Sequence, residues 1–126
     1  MDMRIQIDKS EPLKNIQAQF SQVFPFLKIE FFKTPHKARK IAPSTDIIKP
    51  DEPAARYSTV PGTVDINIDQ EMTVETLEDE FYKKAGLSVQ VYRKSGNVWI
   101  QTSLTDDWTL QQQNKEGEII TSHFKA

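Results

Sequence analysis

Apolar and polar side chains alternate from the start of the chain, with Met3, Ile5 and Ile7 at the apolar positions. This period of two is typical of a β-strand that buries one face. Apolar residues then recur at helical spacing over residues 13–24, and alternation returns over residues 27–32. The pattern therefore predicts a strand, an amphipathic helix and a second strand.

The same order of elements returns in the second half of the chain. Val64, Ile66 and Ile68 alternate with polar residues, and a helical pattern follows. Thr73 is suited to begin this helix, because its hydroxyl can accept a hydrogen bond from an unpaired amide of the first turn. Gly86 is suited to the left-handed conformation that ends a helix. Alternation then resumes, so the sequence predicts a second strand-helix-strand unit.

The two units resemble each other when residues 61 positions apart are compared. Few of the aligned residues are identical, so either a duplication or the shared physical demands of two similar units explains the match. Two β-α-β units with short connections are typical of a ferredoxin-like sandwich, in which two helices cover one face of an antiparallel sheet. The aligned apolar pairs are Ile5 with Ile66, Ile7 with Ile68, Ile16 with Leu77 and Phe20 with Phe81.

A hairpin is predicted after the second unit, because glycine and asparagine separate two apolar stretches. We place Ser95 and Gly96 at the centre of the turn, and Val98 at the start of the returning strand. The cross-strand pairs that result are Tyr92 with Trp99 and Val91 with Ile100.

The C-terminal part is predicted to continue as β-structure. Residues 108–113 and 118–124 are the candidate strands, and residues 114–117 form a turn with glycine at its end. The alternative is a short helix from Asp106 to Asn114, with Thr105 as its cap. The predicted fold class is therefore α+β, a ferredoxin-like split β-α-β sandwich extended by a C-terminal β-meander.

A proline-rich stretch separates the two units. Residues 34–61 contain five of the seven prolines, and the stretch begins with a strongly basic segment. A connection of this length without a hydrophobic period is uncommon in a compact domain, and it is usually functional or mobile. We expect one domain over residues 1–126, with a long basic insertion at residues 34–61.

The predicted sheet has one apolar face and one mixed face. Val98 and Ile100 join the other alternating apolar residues on the helix-facing side, which we expect to form the core. Rings interleaved with cations on the mixed face suit base stacking or a peptide partner. Alternatively, the rings form cross-strand pairs, or the proline-rich segment, the C-terminal strands or a second subunit covers them. The aromatic and basic residues of this face are Phe32, Tyr92, Trp99, Arg4, Lys28 and Lys94.

Composition limits the classes of function. Sixteen basic and eighteen acidic residues give a net charge of −2, which does not favour bulk binding to nucleic acid or to an anionic membrane. The absence of cysteine excludes disulfides, thiolate metal sites and a cysteine nucleophile. No apolar run approaches membrane-spanning length, and the first residues lack an apolar leader. We therefore expect a cytoplasmic protein.

No catalytic or metal-binding motif is recognisable in the chain. His36 and His123 have no ligand spacing, and the four glycines form no phosphate-binding loop. We expect no cofactor and no metal. A small enzyme is the alternative, with a site closed by residues 34–61 and with His36 and Asp65 or Asp69 as its polar groups.

These patterns favour a non-enzymatic binding or interaction domain. Its partner is expected to be a protein or a second copy bound through an edge strand. The order of elements resembles that of RNA-recognition modules, which implies nucleic-acid binding as an alternative. Those modules carry aromatic residues on their central strands, whereas residues 4–8 and 64–69 contain none. The basic segment adds four candidate binding residues, which suit a phosphate or a polyanion: His36, Lys37, Arg39 and Lys40.

Overall fold

The computed structural model describes residues 2–34 and 41–123. These residues form an α+β fold with three α-helices and two antiparallel sheets. Short 3-10 turns lie at Ser44–Asp46, Ala54–Arg56 and Ser103–Thr105. In chain order the strands and helices are β1 (Asp2–Ile7), α1 (Leu13–Val23), β2 (Leu27–Phe32), β3 (Val64–Asp69), α2 (Val74–Ala85), β4 (Ser88–Ser95), β5 (Val98–Gln101) and α3 (Leu110–His123).

The two predicted β-α-β units are confirmed in the order of their elements. The ends of α2 are also as predicted. Thr73 Oγ1 accepts a hydrogen bond from the Thr76 amide at 3.1 Å, and Gly86 has a left-handed φ of 67°. A β-carbon at residue 86 would clash with Thr59 Oγ1 and lie 2.9 Å from the Thr59 backbone nitrogen, so both conformation and space require glycine here.

The strands form two sheets, and the single sheet of the expected ferredoxin-like sandwich is not found. β1 pairs with β3, whereas β2, β4 and β5 form a separate sheet in the order β2-β4-β5. Helix α1 binds the strand edges that a continuous sheet would use. The Gln19 side chain bonds to both backbone groups of Gln6 at 3.3 Å, and Gln17 Nε2 donates to the Ile29 carbonyl at 2.8 Å. Alternation identifies a buried face but not the neighbouring strand, so this division was not predictable from it.

The two units pair with each other about an approximate two-fold axis. Ile5 faces Ile66 in the β1–β3 ladder, and these residues are 61 positions apart. Glu30 faces Gln90 in the β2–β4 ladder, and these residues are 60 positions apart. Each ladder is thus centred on a pair of equivalent residues, which is the arrangement expected when two similar halves assemble like the subunits of a dimer.

The proline-rich segment caps the first helix. Because Pro12 offers no side-chain cap, the first amides of α1 find other acceptors. The Leu13 amide donates to the Glu52 carbonyl and the Lys14 amide to the Pro50 carbonyl, both at 2.9 Å. These bonds satisfy donors that the first turn of a helix leaves unpaired. Residues 50–52 are therefore part of the first unit.

The second helix is capped in the same way by the segment before α3. The Val74 amide donates to the Trp108 carbonyl at 3.0 Å, and the Glu75 amide donates to the Asp106 carbonyl at 2.8 Å. Val74 and Glu75 lie 61 positions after Leu13 and Lys14. The repeat therefore extends beyond the two β-α-β units, and residues 50–55 correspond to residues 106–111. The stretch that we expected to be an insertion is, in this part, the counterpart of the C-terminal segment.

The outer strands of the larger sheet are also equivalent. The Ile48 amide donates to the Phe31 carbonyl at 2.8 Å, and the Thr102 amide donates to the Val91 carbonyl at 3.1 Å. Phe31 and Val91 are 60 positions apart, like the residues at the centre of this sheet. Residues 46–48, bridged to β2 through Ile47, thus occupy the place at one edge that β5 occupies at the other.

The prediction of a C-terminal β-meander is wrong, because residues 110–123 form the single helix α3. The alternative helix was correct in kind but not in extent. Thr109 is the cap: its Oγ1 accepts from the Gln112 amide at 3.1 Å, and Gln112 Oε1 accepts from the Thr109 amide at 2.8 Å. This reciprocal capping box is readable in the sequence. Gly117, interpreted as a turn, lies inside the helix instead.

The hairpin turn lies one residue later than expected. Ser95 pairs with Val98, so Gly96 and Asn97 form the turn, and Gly96 has a φ of 66°. A two-residue turn with a left-handed first position matches the twist of the flanking strands. Trp99 therefore faces Lys94, and Tyr92 faces Gln101 rather than Trp99.

Candidate functional site

Strand β5 exposes large apolar side chains on both of its faces. We name Val98, Trp99 and Ile100 the β5 patch; their exposed fractions are 58%, 36% and 38%. The expectation that Val98 and Ile100 belong to the core is therefore wrong. Helix α3 is held over β4, because Asn114 Oδ1 accepts from the Phe26 amide in the turn before β2 and Thr121 Oγ1 accepts from the Gly96 amide in the turn after β4. The helix does not extend over β5.

The backbone of β5 has one edge directed away from the sheet. The Thr102 amide donates to the Val91 carbonyl, so the even-numbered residues turn their backbone groups toward β4. Trp99 and Gln101 consequently turn theirs outward. Neither residue forms a hydrogen bond with another backbone segment in the part of the chain that the structure describes. As far as the described residues show, this edge can accept a further strand.

The opposite edge of the same sheet is closed. Residues 46–48 bond to the end of β2, where the Lys33 amide donates to the Asp46 carbonyl at 2.9 Å. Earlier in β2, Gln17 Nε2 donates to the Ile29 carbonyl and Ser21 Oγ donates to the Leu27 carbonyl, at 2.8 and 3.0 Å. Side chains and a short strand thus occupy the acceptors of β2, whereas the described part of the chain provides no such cover for β5.

A lysine lies between two aromatic rings beside the β5 patch. Lys28 Nζ is 5.4 Å from the Tyr92 ring centroid and 5.1 Å from the Trp99 ring centroid. Lys28 faces Tyr92 in the β2–β4 ladder, which fixes its approach to both rings. Cation–π attraction at these distances holds the indole against the sheet. The exposed Trp99 ring therefore has the Lys28 ammonium group against one of its faces.

Phe32 and Tyr92 lie on the expected face, but they are buried. They form a small apolar cluster with Ala42 and the partly buried Ile47. Gln101 fixes this cover, because its amide side chain bonds to both backbone groups of Ala42 at 2.9 and 2.8 Å. The alternative that the proline-rich segment covers the rings is confirmed for these two residues. Neither ring is open to a ligand in this arrangement.

The environment of Tyr92 changes its acidity. Burial raises the pKa of the Tyr92 phenol above its ordinary value of 10.0, and the nearby Glu30 carboxylate raises it further. A hydrogen bond with Gln101 acts in the opposite direction. Both leading causes disfavour the phenolate, since one removes water and the other places a like charge nearby. Tyr92 is therefore a neutral hydrogen-bonding group at physiological pH.

The other predicted binding residues are distributed differently. Lys94 is half-buried and faces Trp99 across the hairpin, so it joins Lys28 at the β5 patch. Arg4 is exposed on β1, in the two-stranded sheet, and is not brought into this group. The basic residues of the proline-rich stretch lie outside the described residues: His36, Lys37, Arg39 and Lys40.

A groove of about 390 Å³ lies between α1 and Trp99, along the outer edge of β2. Three of its polar side chains are already engaged. Lys14 pairs with Asp51 at 3.1 Å, and Gln17 Nε2 lies 3.0 Å from Glu30 Oε1. The groove borders the β5 patch on the side of Lys28, so it extends the surface that a partner seated on Trp99 would meet.

The features expected of an enzyme are not assembled in the described residues. Asp65 and Asp69 are both exposed on β3, and Asp69 Oδ1 accepts from the Glu71 amide in an ordinary turn. Within the described ranges, no group of three or more His, Cys, Asp or Glu residues is arranged to hold a metal ion. His36, the expected partner of these carboxylates, lies outside the described residues.

One cation lies beneath α3 on the other face of the sheet. The Arg93 guanidinium donates to Gln113 Oε1 at 2.9 Å and lies 5.6 Å from the Trp108 ring centroid. Its buried Nε has no hydrogen-bond partner among the described residues. Arg93 thus links β4 to α3. This role was not predicted, because residues 108–113 and 118–124 were expected to form strands.

Comparisons of the chain with protein-family models, with curated proteins and with solved structures yield no match. Within residues 2–34 and 41–123, no helix has the length and hydropathy needed to cross a bilayer.

Proposed function

We propose that the protein is a non-enzymatic interaction domain that binds a protein partner by adding an extended segment to the outer edge of β5. One observation supports this most directly: three neighbouring apolar residues are exposed on a strand whose outward backbone groups have no backbone partner among residues 2–34 and 41–123, while the other edge of the sheet is closed. Monomeric proteins usually protect such edges with charges, prolines or covering segments. Residues 98–101 contain neither charge nor proline.

Main-chain bonds and side-chain contacts contribute differently in this mode of binding. The backbone of Trp99 and Gln101 would supply affinity, because strand addition extends the ladder of main-chain hydrogen bonds. Alternate side chains would supply specificity. Val98 and Ile100 offer an aliphatic surface on one face, whereas Trp99 with Lys28 and Lys94 offers a cationic and aromatic surface on the other.

A test begins with capture of partners from the source cell. Each captured protein is then purified and titrated against the wild-type chain, Ile100→Lys and Tyr82→Lys. Tyr82 is the control, because it is 51% exposed and lies on α2 rather than on a strand of the larger sheet. We expect Ile100→Lys to weaken binding at least tenfold and Tyr82→Lys to leave it unchanged. Equal binding of the wild type and Ile100→Lys by every purified partner would contradict the proposal.

Nucleic-acid binding stays the alternative proposal, with less support. Base stacking needs accessible rings, and of the three aromatic residues on the expected face only Trp99 is exposed. The alternative predicts salt-sensitive oligonucleotide binding that weakens when Lys37, Arg39 and Lys40 are neutralised. The enzyme alternative rests on His36 and the exposed carboxylates of β3. The absence of cysteine supports a cytoplasmic location as part of the same proposal.

A further inference from the structure

We propose that the segment added to β5 is β5 of a second copy of this chain, paired antiparallel across a two-fold axis that passes beside Ile100. This inference rests on the proposed function, since it takes the outer edge of β5 as the binding surface and names its occupant. The arrangement would join two sheets into one continuous sheet through the middle of a homodimer.

The composition of β5 suits pairing with itself. A two-fold axis places a strand beside its own copy, and like charges directly opposite each other destabilise a sheet. Residues 98–101 are valine, tryptophan, isoleucine and glutamine, so no such repulsion arises in any register. By contrast, β1 carries Arg4 and β3 carries Asp65 and Asp69, so pairing of either strand with its own copy would bring like charges into the same ladder.

The geometry of β5 selects one register. Trp99 and Gln101 carry the outward backbone groups, so both are used when Trp99 of one chain pairs with Gln101 of the other. The two reciprocal pairs give four main-chain hydrogen bonds. Ile100 then faces its own copy at a position without main-chain bonds, where the Cα atoms approach to about 4.5 Å. The aliphatic side chains of Val98 and Ile100 form a shared surface on one face of the joined sheet.

The chain already assembles its own halves in this manner. The β1–β3 and β2–β4 ladders each pair equivalent strands antiparallel, about Ile5 with Ile66 and about Glu30 with Gln90. A ladder formed between two β5 strands repeats this rule between chains. It would extend the row formed by residues 46–48, β2, β4 and β5 into its symmetric copy.

The size of the interface sets the expected strength. β5 has four residues, so the contact falls at the low end of specific interfaces, below roughly 1,200 Å² in total. Contacts of that size are weak or transient. We therefore expect a dimer that dissociates on dilution, with a mass rising from 14.5 kDa toward twice that value as the concentration increases.

Single-cysteine variants test the register, since the chain has no cysteine of its own. Under oxidised glutathione, two facing thiols lose two electrons and two protons and form one disulfide. Ile100→Cys should give a cross-linked dimer, because residues facing across the axis lie within the 4.4–6.8 Å Cα separation that a disulfide needs. Val98→Cys is the control: it is more exposed and on the same face, but its copy would be about 13 Å away at roughly 3.3 Å per residue. Cross-linking of Val98→Cys but not Ile100→Cys would overturn the register.

Charge variants test the dimer without a covalent bond. Ile100→Lys and Ile100→Glu should each sediment as a monomer at concentrations where the wild type is dimeric. An equimolar mixture should restore the dimer, because opposite charges then meet on the axis, and a variant that merely unfolds would not be rescued. A wild type that stays monomeric at all concentrations would overturn the homodimer. In that case the proposed function would still stand if a purified partner lost affinity for Ile100→Lys.

Discussion

Gly117 lies so close to Phe26 that a β-carbon at residue 117 would come within 2.9 Å of the Phe26 β-carbon. The same atom would meet the Arg93 side chain at 3.2 Å. Glycine inside a helix normally lowers stability by roughly 0.5–1 kcal/mol relative to alanine. Here it permits α3 to approach the turn before β2, so the local cost is offset by close packing between α3 and the sheet.

Gly117→Ala is therefore expected to destabilise the fold even though alanine favours helix. Overpacking of a tight contact typically costs about 1–3 kcal/mol, which exceeds the gain in helix propensity. We expect the free energy of unfolding to fall by about 1 kcal/mol, measured by chemical denaturation. Glu118→Ala, at the adjacent exposed position of the helix, is the control and should change it by less than about 0.5 kcal/mol. A more stable Gly117→Ala protein would contradict this account of the contact.

Gln17→Ala is expected to expose an unpaired acceptor on β2. Gln17 Nε2 donates to the Ile29 carbonyl from a partly buried position, and alanine leaves that carbonyl without this partner. An unsatisfied buried group costs about 1–3 kcal/mol, and partial exposure places the expected loss near the lower bound. Gln22→Ala, on the exposed side of α1, serves as the matched control. Similar unfolding curves for both variants would show that Gln17 does not protect this edge.

The raised pKa of Tyr92 predicts a loss of stability at high pH. A folded-state pKa above the unfolded value of about 10 means that the stabilising contribution is fully present below pH 10. It is lost as the pH rises from there through the folded-state pKa. Tyr92→Phe removes the titrating group, so its stability should decline less steeply between about pH 9 and pH 11. Identical slopes for wild type and Tyr92→Phe would refute the burial argument.

The pairing of equivalent strands predicts that the chain can be split into two fragments that fold only when they associate. A break between Pro61 and Gly62 falls in an exposed loop that separates the two repeated halves. Each half alone lacks the partner for both of its main strands, so residues 1–61 and 62–126 should be unfolded or aggregated when produced separately. Co-expressed halves should co-purify as a complex with the far-ultraviolet circular dichroism of the intact chain. Failure to associate, with each half soluble and folded alone, would contradict the interdigitated pairing.

Periodicity and cap chemistry predict the elements of this fold well where local signals agree. The strands around Ile5 and Ile66 and the helix from Thr73 to Gly86 follow directly from the alternation and from residues suited to helix ends. These signals depend on a few neighbouring residues, so they are legible without knowledge of the partner strand.

Signals that depend on distant contacts were misread. Helix α3 needs glycine at residue 117 because Phe26 lies against it, a contact across 91 positions of the chain. The Thr109–Gln112 capping box was present in the sequence, but the glycine favoured a turn and the β-branched residues after it favoured a strand. Ile100 shows the reverse error: its alternation predicted burial, yet no helix of the described residues covers this end of the sheet. Alternation marks a face that something can cover, and it does not show what covers it.

The closure of β2 by residues 46–48 and by Gln17 limits how far self-association can proceed. A chain with two adhesive sheet edges would add copies at both ends and grow into a fibre. At this edge the two repeated halves differ, because residues 46–48 form a single bridge to β2 where β5 forms a four-residue strand. The proposed pairing through β5 would therefore use the one extended free edge of the larger sheet in the described residues. Neither outer edge of the joined sheet would then accept a further strand, and assembly would end at two chains. A small departure from internal symmetry would thus separate a finite complex from an open-ended polymer.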